Sequence, residues 1–160
     1  MSVIASQQDI FQTMKNAYSL HQQGDYTKAE KLYQQVLSKE PKHPDANQFL
    51  GMIAHKFGFH QAAVNLVGNS LAADPNNAQR HYVLGGIFDK LNDPEKAIAC
   101  YKRSIALKPN LAEAHNNLGL IYKNSHDFNK AVNCFKQVIN LNPQSAIAWA
   151  NLGNVYKESG

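Results

Sequence analysis

The sequence has little of what secreted, membrane-bound or redox proteins depend on. Only two of its 160 residues are cysteine, and Trp149 is its single tryptophan. No apolar run approaches the ~18 residues that a membrane-spanning helix needs. No basic-then-apolar leader precedes Asp9, the first charged residue. We therefore expect a soluble, cytoplasmic protein without a membrane partner.

Motifs for catalysis and cofactor binding are also missing. The sequence contains no H-E-x-x-H, C-x-x-C, G-x-S-x-G or phosphate-binding glycine loop. Seven histidines are present, but His21 with His55 and His81 with His115 are widely and equally spaced along the chain, which predicts that they are spread out rather than clustered. We expect no catalytic residue, no metal and no cofactor, and hence no enzymatic activity in this chain alone.

The charge pattern argues against nucleic acid as a partner. The net charge of +4 comes from 16 Lys and Arg against 12 Asp and Glu. These residues are scattered, with no basic run and no RNA-binding signature. A mildly basic chain without a basic stripe indicates a protein or peptide partner instead.

What the sequence does contain is a repeat with a 34-residue period. Prolines recur at this period, and an alanine stands twelve residues before each of them: Pro41, Pro75, Pro109 and Pro143 follow Ala29, Ala63, Ala97 and Ala131. A small residue stands 24 positions before each proline and once more beyond the last: Ala17, Gly51, Gly85, Gly119 and Gly153. Several registers in phase at one period indicate stacked copies of one structural unit.

The two cysteines obey the same period. Cys100 and Cys134 are separated by one full period, so they occupy one site in adjacent units. Packed helices lie ~8–10 Å apart, whereas a disulfide needs Cα atoms within ~7 Å. We therefore expect two free thiols.

The repeat resembles the tetratricopeptide repeat, a helix–turn–helix unit with the pattern W-x2-L-G-x2-Y, then A-x3-F, then P. The last copy matches the first part of this pattern in full, with Trp149, Leu152, Gly153 and Tyr156. The copy before it matches the second part, with Ala131, Phe135 and Pro143. The resemblance implies an all-α fold, a superhelix of antiparallel helix pairs. The predicted organisation is a lead-in at residues 1–9, four full repeats at 10–43, 44–77, 78–111 and 112–145, and one further helix at 146–160.

Local signals support helix pairs. Asp25, Asp93 and Asp127 fall just before each predicted second helix, where an Asp side chain can accept from free backbone N–H groups. Pro94 suits a first helical position, whereas Phe59 offers no cap in the second repeat. The small residues at the repeat positions should lie where two helices cross closely.

By the same resemblance, the first helix of each repeat lines a concave face that binds a peptide or partner segment. The candidate binding residues at these positions are Met14, Tyr18, Phe49, Met52, Tyr82, Val83, Asn117 and Asn151. The row changes from Met and aromatic side chains to asparagine along the chain. An apolar face of this kind suits a peptide with hydrophobic anchors. The alternative is that these side chains only pack against one another.

The stretches "AEAHNNLGLIYK" and "AIAWANLGNVYKESG" are similar to the repeats that precede the catalytic domain of O-linked N-acetylglucosamine transferases and their bacterial relatives. That resemblance implies that Asn117 and Asn151 hold the backbone of an extended protein substrate. Two functions therefore stay open: a non-catalytic interaction scaffold, or the substrate-recruiting arm of a larger glycosyltransferase.

The last predicted helix has no following helix in this sequence to cover its second side. We expect Trp149, Leu152 and Tyr156 to form an apolar surface through which the chain self-associates into a homo-oligomer.

Overall fold

The computed structural model describes the backbone of residues 3–160, with side chains from Ser6 onward. Every secondary-structure element in this range is an α-helix. The helices group into two compact units, of which unit 1 ends at Pro75 and unit 2 is Asn76–Gly160.

Unit 1 consists of two helix pairs. Its helices are α1 (Val3–Gln22), α2 (Tyr26–Lys39), α3 (Pro44–Lys56) and α4 (His60–Ala73). Helix α1 packs on α2, α2 on α3, and α3 on α4. The core between them is aliphatic and aromatic, with Ala17, Ala29, Tyr33 and Val36 fully buried.

Unit 2 repeats this arrangement and adds one helix. Its helices are α5 (Ala78–Lys90), α6 (Pro94–Leu107), α7 (Ala112–Asn124), α8 (Phe128–Leu141) and α9 (Ala146–Ser159). Each helix packs on the next, and α9 packs mainly on α8. The core centres on Tyr101, Phe135, Leu118 and Val155.

The predicted all-α fold of helix pairs is confirmed. Helices α3, α5, α7 and α9 begin at Pro44, Ala78, Ala112 and Ala146, so successive first helices start one repeat period apart. Helix α1 differs, because it is 20 residues long and includes most of the predicted lead-in. Residues 1 and 2 of that lead-in lie outside the described residues.

Helix starts follow the predicted capping chemistry. The carboxylates of Asp25, Asp93 and Asp127 accept from the backbone N–H three residues on, at the starts of α2, α6 and α8. Pro94 is in the first turn of α6. Phe59 makes no side-chain cap at the start of α4, as its apolar side chain predicts.

The repeated glycines allow close helix crossing, as predicted. A Cβ added at Gly51 would lie 2.8 Å from Val67 Cγ2, one at Gly85 2.8 Å from the Tyr101 ring, and one at Gly119 2.8 Å from the Phe135 ring. Each of these contacts lies between the first and second helix of one pair. Gly153 on α9 is different, because a Cβ there would meet nothing within 4 Å.

A left-handed residue closes the turn inside each full pair, again once in every repeat period. Gly24 and Gly58 take φ values of 81° and 85°, whereas Asn92 and His126 take 55° and 58°. Asn and His adopt this region more often than other residues with a side chain, but both do so at a greater cost than glycine. The register that His126 shares with Gly24 and Gly58 is the sequence signal for this conformation.

Candidate functional site

The predicted binding residues of unit 1 lie on α1 and α3. We call Met14, Tyr18, Phe49 and Met52 the aromatic face. Met14, Phe49 and Met52 are half-buried, whereas Tyr18 is 44% exposed. The Tyr18 and Phe49 ring centroids are 5.2 Å apart at a tilt of 48°. The two rings therefore pack on each other, and part of the Tyr18 ring stays exposed.

Phe49 is the centre of this packing. Its ring stacks on Tyr33 of α2 at 5.6 Å, with 23° between the ring planes, and His21 meets it at 5.8 Å and 70°. Pairs of this geometry contribute beyond their buried area. Phe49 is therefore a structural residue as well as a candidate contact.

Two buried polar atoms beneath Phe49 have no hydrogen-bond partner among the described residues: His21 Nδ1 and Tyr33 Oη. Burial raises the pKa of Tyr33 well above its ordinary value. Burial also lowers the pKa of His21, and the Lys56 ammonium adds to that shift. Both groups are therefore held neutral at physiological pH.

A cavity of about 390 Å³ opens on α1 beside the aromatic face. Ile10, Phe11 and Met14 line it from α1, and His43 and Asp45 line it from the start of α3. Phe11 is 70% exposed, although its size would favour burial. Phe11 was not among the predicted binding residues, although its position one helical turn before Met14 places it on the same side of α1.

In unit 2 the predicted binding residues form a polar arrangement. The Asn117 amide donates to Tyr101 Oη at 3.3 Å, and Asn116 donates to Asn117 Oδ1 at 3.4 Å. Asn151 of α9 donates to Asn116 Oδ1 at 3.0 Å. We call Asn116, Asn117 and Asn151 the amide row. The structure thus joins the two predicted asparagines through Asn116.

The other two predicted residues of unit 2 are less polar. Tyr82 and Val83 are both half-buried on α5. The Tyr82 ring lies 5.9 Å from the Tyr101 ring, which is itself fully buried. Tyr82 therefore covers the same core tyrosine to which Asn117 donates.

Helix α9 corrects one predicted surface residue. Trp149 and Tyr156 are 54% and 52% exposed, but Leu152 is only 6% exposed and belongs to the core of unit 2. Leu152 points towards its own unit because it shares a helix face with Ala148 and Val155, both fully buried. It cannot therefore contribute to a surface for self-association.

Reactive groups are arranged as packing elements. Cys100 and Cys134 are free, and burial raises the pKa of each thiol to about 11. His55 and His60 have their Nδ1 atoms 3.1 Å apart, a contact that the spacing of the period-related histidines did not predict. The described residues hold no group of three or more His, Cys, Asp or Glu side chains that could bind a metal ion.

None of the helices from α1 to α9 is long and apolar enough to cross a membrane.

Solved structures similar to this chain have repeat folds. The crystal structure of MamA matches with a TM-score of 0.85 and 24% identity over 94% of this chain and 82% of that chain. MamA from Desulfovibrio magneticus RS-1 matches with 0.76 and 25% over 84% and 76%. YrrB, described as a TPR protein with an unusual peptide-binding site, matches with 0.80 and 23% over 92% and 76%.

Family models match most of the chain, whereas no curated protein gave a match. Models described as a tetratricopeptide repeat match residues 14–78 and 112–145, and one described as a TPR repeat matches residues 85–125. The chain therefore belongs to the tetratricopeptide repeat proteins.

Proposed function

We propose that this chain is a non-catalytic scaffold that binds a peptide or an extended segment of a partner protein on its first helices. The observation that carries the proposal is Tyr18, an aromatic side chain 44% exposed and seated against Phe49. An aromatic ring held by packing offers contact area at little entropic cost, which favours binding.

The aromatic face of unit 1 suits apolar side chains of a ligand. Met14 lies one helical turn before Tyr18 on α1, and Met52 lies three residues after Phe49 on α3. Flexible thioethers adapt to irregular partners. The cavity next to Phe11 and Met14 is of a size that receives a ligand group. Lys15 and Asp45 both line this cavity, so one charge of each sign lies beside the place of the apolar anchor.

The amide row of unit 2 suits a peptide backbone. An asparagine amide has two N–H donors and a carbonyl acceptor. Asn117 and Asn151 each donate once in the structure, which leaves further donor and acceptor capacity on both. Such groups can bond a backbone without reading the ligand's side chains.

A second candidate function rests on the same asparagines. In the substrate-recruiting arm of a larger glycosyltransferase, Asn117 and Asn151 would hold an extended protein substrate. The direct contact between Asn151 and Asn116 supports a continuous set of amides across α7 and α9. This function predicts binding that depends on asparagine and tolerates many ligand sequences.

A short-peptide library displayed on phage tests the proposal. Selected peptides should share apolar anchors, and Tyr18→Glu should weaken their binding about tenfold or more, because it places a charge on the apolar contact. Phe59→Glu is the matched control, since Phe59 is 68% exposed but lies in the turn before α4. Equal binding by wild type and Tyr18→Glu would contradict the scaffold on unit 1.

The two candidate functions differ in which variant matters. If Asn117→Ala and Asn151→Ala abolish binding while Tyr18→Glu does not, and the selected peptides share no anchor, the recruiting arm is favoured. Phe49 is a poor probe, because its stacking on Tyr33 means that a charge there disturbs folding as well as binding.

The predicted homo-oligomer is a separate matter. With Leu152 buried, it would rest on Trp149 and Tyr156 of α9. Light scattering over a concentration series tests it, and a monomer at every concentration would count against it.

A further inference from the structure

Apart from the aromatic face and the amide row, unit 1 brings two histidine rings into direct contact. His55 lies in the last turn of α3, and His60 is the first residue of α4. Their ring centroids are 4.8 Å apart with 50° between the ring planes, and their Nδ1 atoms are 3.1 Å apart. Both side chains are half-buried, so part of each stays open to solvent. Two ring nitrogens therefore face each other at the surface of unit 1.

The turn between α3 and α4 holds the two rings at this distance. Gly58 takes the left-handed conformation at a φ of 85°. The Gly58 N–H donates to His55 O at 3.1 Å, and the Phe59 N–H donates to Ala54 O at 2.8 Å. These two hydrogen bonds close the end of α3 as a Schellman motif. Because the backbone already fixes both histidines, a ligand shared by the two rings would bind with a small loss of conformational entropy.

Among the four full repeats, only the second places two imidazoles at these positions. The equivalent residues of the other repeats are His21 and Tyr26, Asp89 and Pro94, and Lys123 and Phe128. The His21 and Tyr26 ring centroids are 5.3 Å apart, so the fold brings the two positions together in the first repeat as well. In the second repeat both side chains are potential nitrogen ligands for a metal ion.

We infer that His55 and His60 chelate a divalent transition cation through their Nδ1 atoms, with water molecules completing the coordination. Zn²⁺ binds histidine nitrogen at about 2.0–2.1 Å. At that distance from both rings, nitrogens 3.1 Å apart subtend an angle of about 95–102° at the cation. This angle lies between the right angle of tetragonal sites and the tetrahedral angle. Imidazole suits Zn²⁺, Cu²⁺ and Ni²⁺, whereas Mg²⁺ and Ca²⁺ take oxygen ligands.

The protons of the two rings can be accounted for in this site. A hydrogen bond between two neutral imidazoles at their Nδ1 atoms needs one ring protonated on Nδ1 and the other on Nε2. When the cation binds, the first ring exchanges its Nδ1 proton through water for one on Nε2. Both Nδ1 lone pairs then face the metal, and two neutral rings release no net proton.

The site differs from a metal centre with three or four protein ligands, because the chain supplies only two. Lys56 is the one charged residue between the two histidines in sequence, and its ammonium lies over the Tyr26 ring, 4.8 Å from the centroid. Neutral imidazoles leave the charge of the cation uncompensated. We therefore expect reversible binding, with coordination positions left open to exchangeable ligands.

Calorimetric titration of the whole chain with Zn²⁺ tests the inference. We expect one Zn²⁺ per chain and no binding of Mg²⁺. His60→Phe should weaken Zn²⁺ binding more than about tenfold, since losing even an outer partner of a metal ligand costs about 10–100-fold. The variant should fold, because α8 carries Phe128 at the equivalent position. His115→Ala is the matched control, since it removes an exposed histidine whose ring contacts Pro109 O instead, and it should leave the affinity unchanged.

Nitrogen-15 spectra of the histidine side chains identify the atoms that bind. Zn²⁺ should shift the Nδ1 signals of His55 and His60 together, with the same saturation curve. Both rings should then carry their remaining proton on Nε2. Circular dichroism of wild type and His60→Phe verifies that the two proteins compared have the same helix content.

Each other result overturns the inference. No heat of binding at millimolar Zn²⁺ excludes the site, and equal binding of Mg²⁺ assigns it to carboxylates. Equal Zn²⁺ affinity of wild type and His60→Phe places the cation on other groups. A shift confined to one ring, or to Nε2 atoms, excludes chelation by the pair. None of these results bears on the aromatic face, whose variants are tested with the separate peptide library.

Discussion

Two equivalent buried tyrosines allow the cost of an unpaired hydroxyl to be measured within one protein. Tyr33 of α2 and Tyr101 of α6 occupy the same repeat position, two periods apart, and are 0% and 1% exposed. Tyr101 Oη accepts from the Asn117 amide at 3.3 Å, whereas Tyr33 Oη has no partner among the described residues. We expect Tyr33→Phe and Tyr101→Phe to change stability in opposite directions.

The expected sizes follow from the hydrogen bonds. Removing an unpaired buried hydroxyl recovers a desolvation cost of about 1–2 kcal/mol. Removing the Tyr101 hydroxyl loses a net hydrogen bond of about 1 kcal/mol and leaves the Asn117 amide short of a partner. The two variants should therefore differ by about 2–3 kcal/mol.

Urea denaturation measures the difference. With a slope of about 1–3 kcal/mol per M, the two midpoints should be about 1 M apart or more. Circular dichroism reports both units, and Trp149 emission reports unit 2, which matters because repeat units can unfold separately. The reasoning is refuted if Tyr33→Phe destabilises the protein as much as Tyr101→Phe does.

Other predictions concern packing, turns and titration. Gly51→Ala should destabilise the protein by about 1–3 kcal/mol through its close helix crossing, whereas Gly68→Ala should stabilise it by up to ~1 kcal/mol; urea midpoints compare them. His126→Gly should raise the melting temperature, since it removes a left-handed cost of about 1 kcal/mol. Cys134, with a pKa of about 11, should react with iodoacetamide at pH 8 roughly two orders of magnitude more slowly than free cysteine. Hydrogen bonds that Lys96 donates to the Asp93 carboxylate lower the pKa of Asp93. The stabilisation that this carboxylate provides is therefore present above pH ~4 and is lost below it. The melting temperature of Asp93→Asn should accordingly fall less on acidification than that of wild type.

The 34-residue period predicts where each helix starts better than it predicts which neighbouring helix a side chain contacts. Helix starts, Asp caps and glycine crossings follow from residue type at a fixed register, and the structure confirms them. The burial of Leu152 was not predicted, because a motif position does not say which of two neighbouring helices a side chain meets. The contact between His55 and His60 was missed for a related reason, since it crosses a turn between two helices that the repeat pattern treats separately.

The unpaired atoms beneath the aromatic face required three-dimensional information. Tyr33 is a large residue at the repeat position that also holds Tyr101 and Phe135, so the sequence predicts its burial. It does not predict whether its hydroxyl is satisfied, because the partner comes from a different helix. That partner is Asn117 for Tyr101, and in unit 1 the equivalent residue is Phe49.

This substitution of ring for amide explains how one fold presents two chemistries. Phe49 and Asn117 occupy the same repeat position and contact equivalent tyrosines, the first by stacking and the second by donating a hydrogen bond. The tyrosine beneath each of them is buried to the same extent, with Tyr33 0% and Tyr101 1% exposed. The second-helix residue is therefore a buried tyrosine in both units, whereas the first-helix residue differs between them, a stacked ring at 49 and a hydrogen-bonding amide at 117. We therefore expect substitutions at residue 117 to change binding specificity with a smaller loss of folding stability than substitutions at residue 49. An amide is replaced at residue 117, whereas a stacked ring is lost at residue 49.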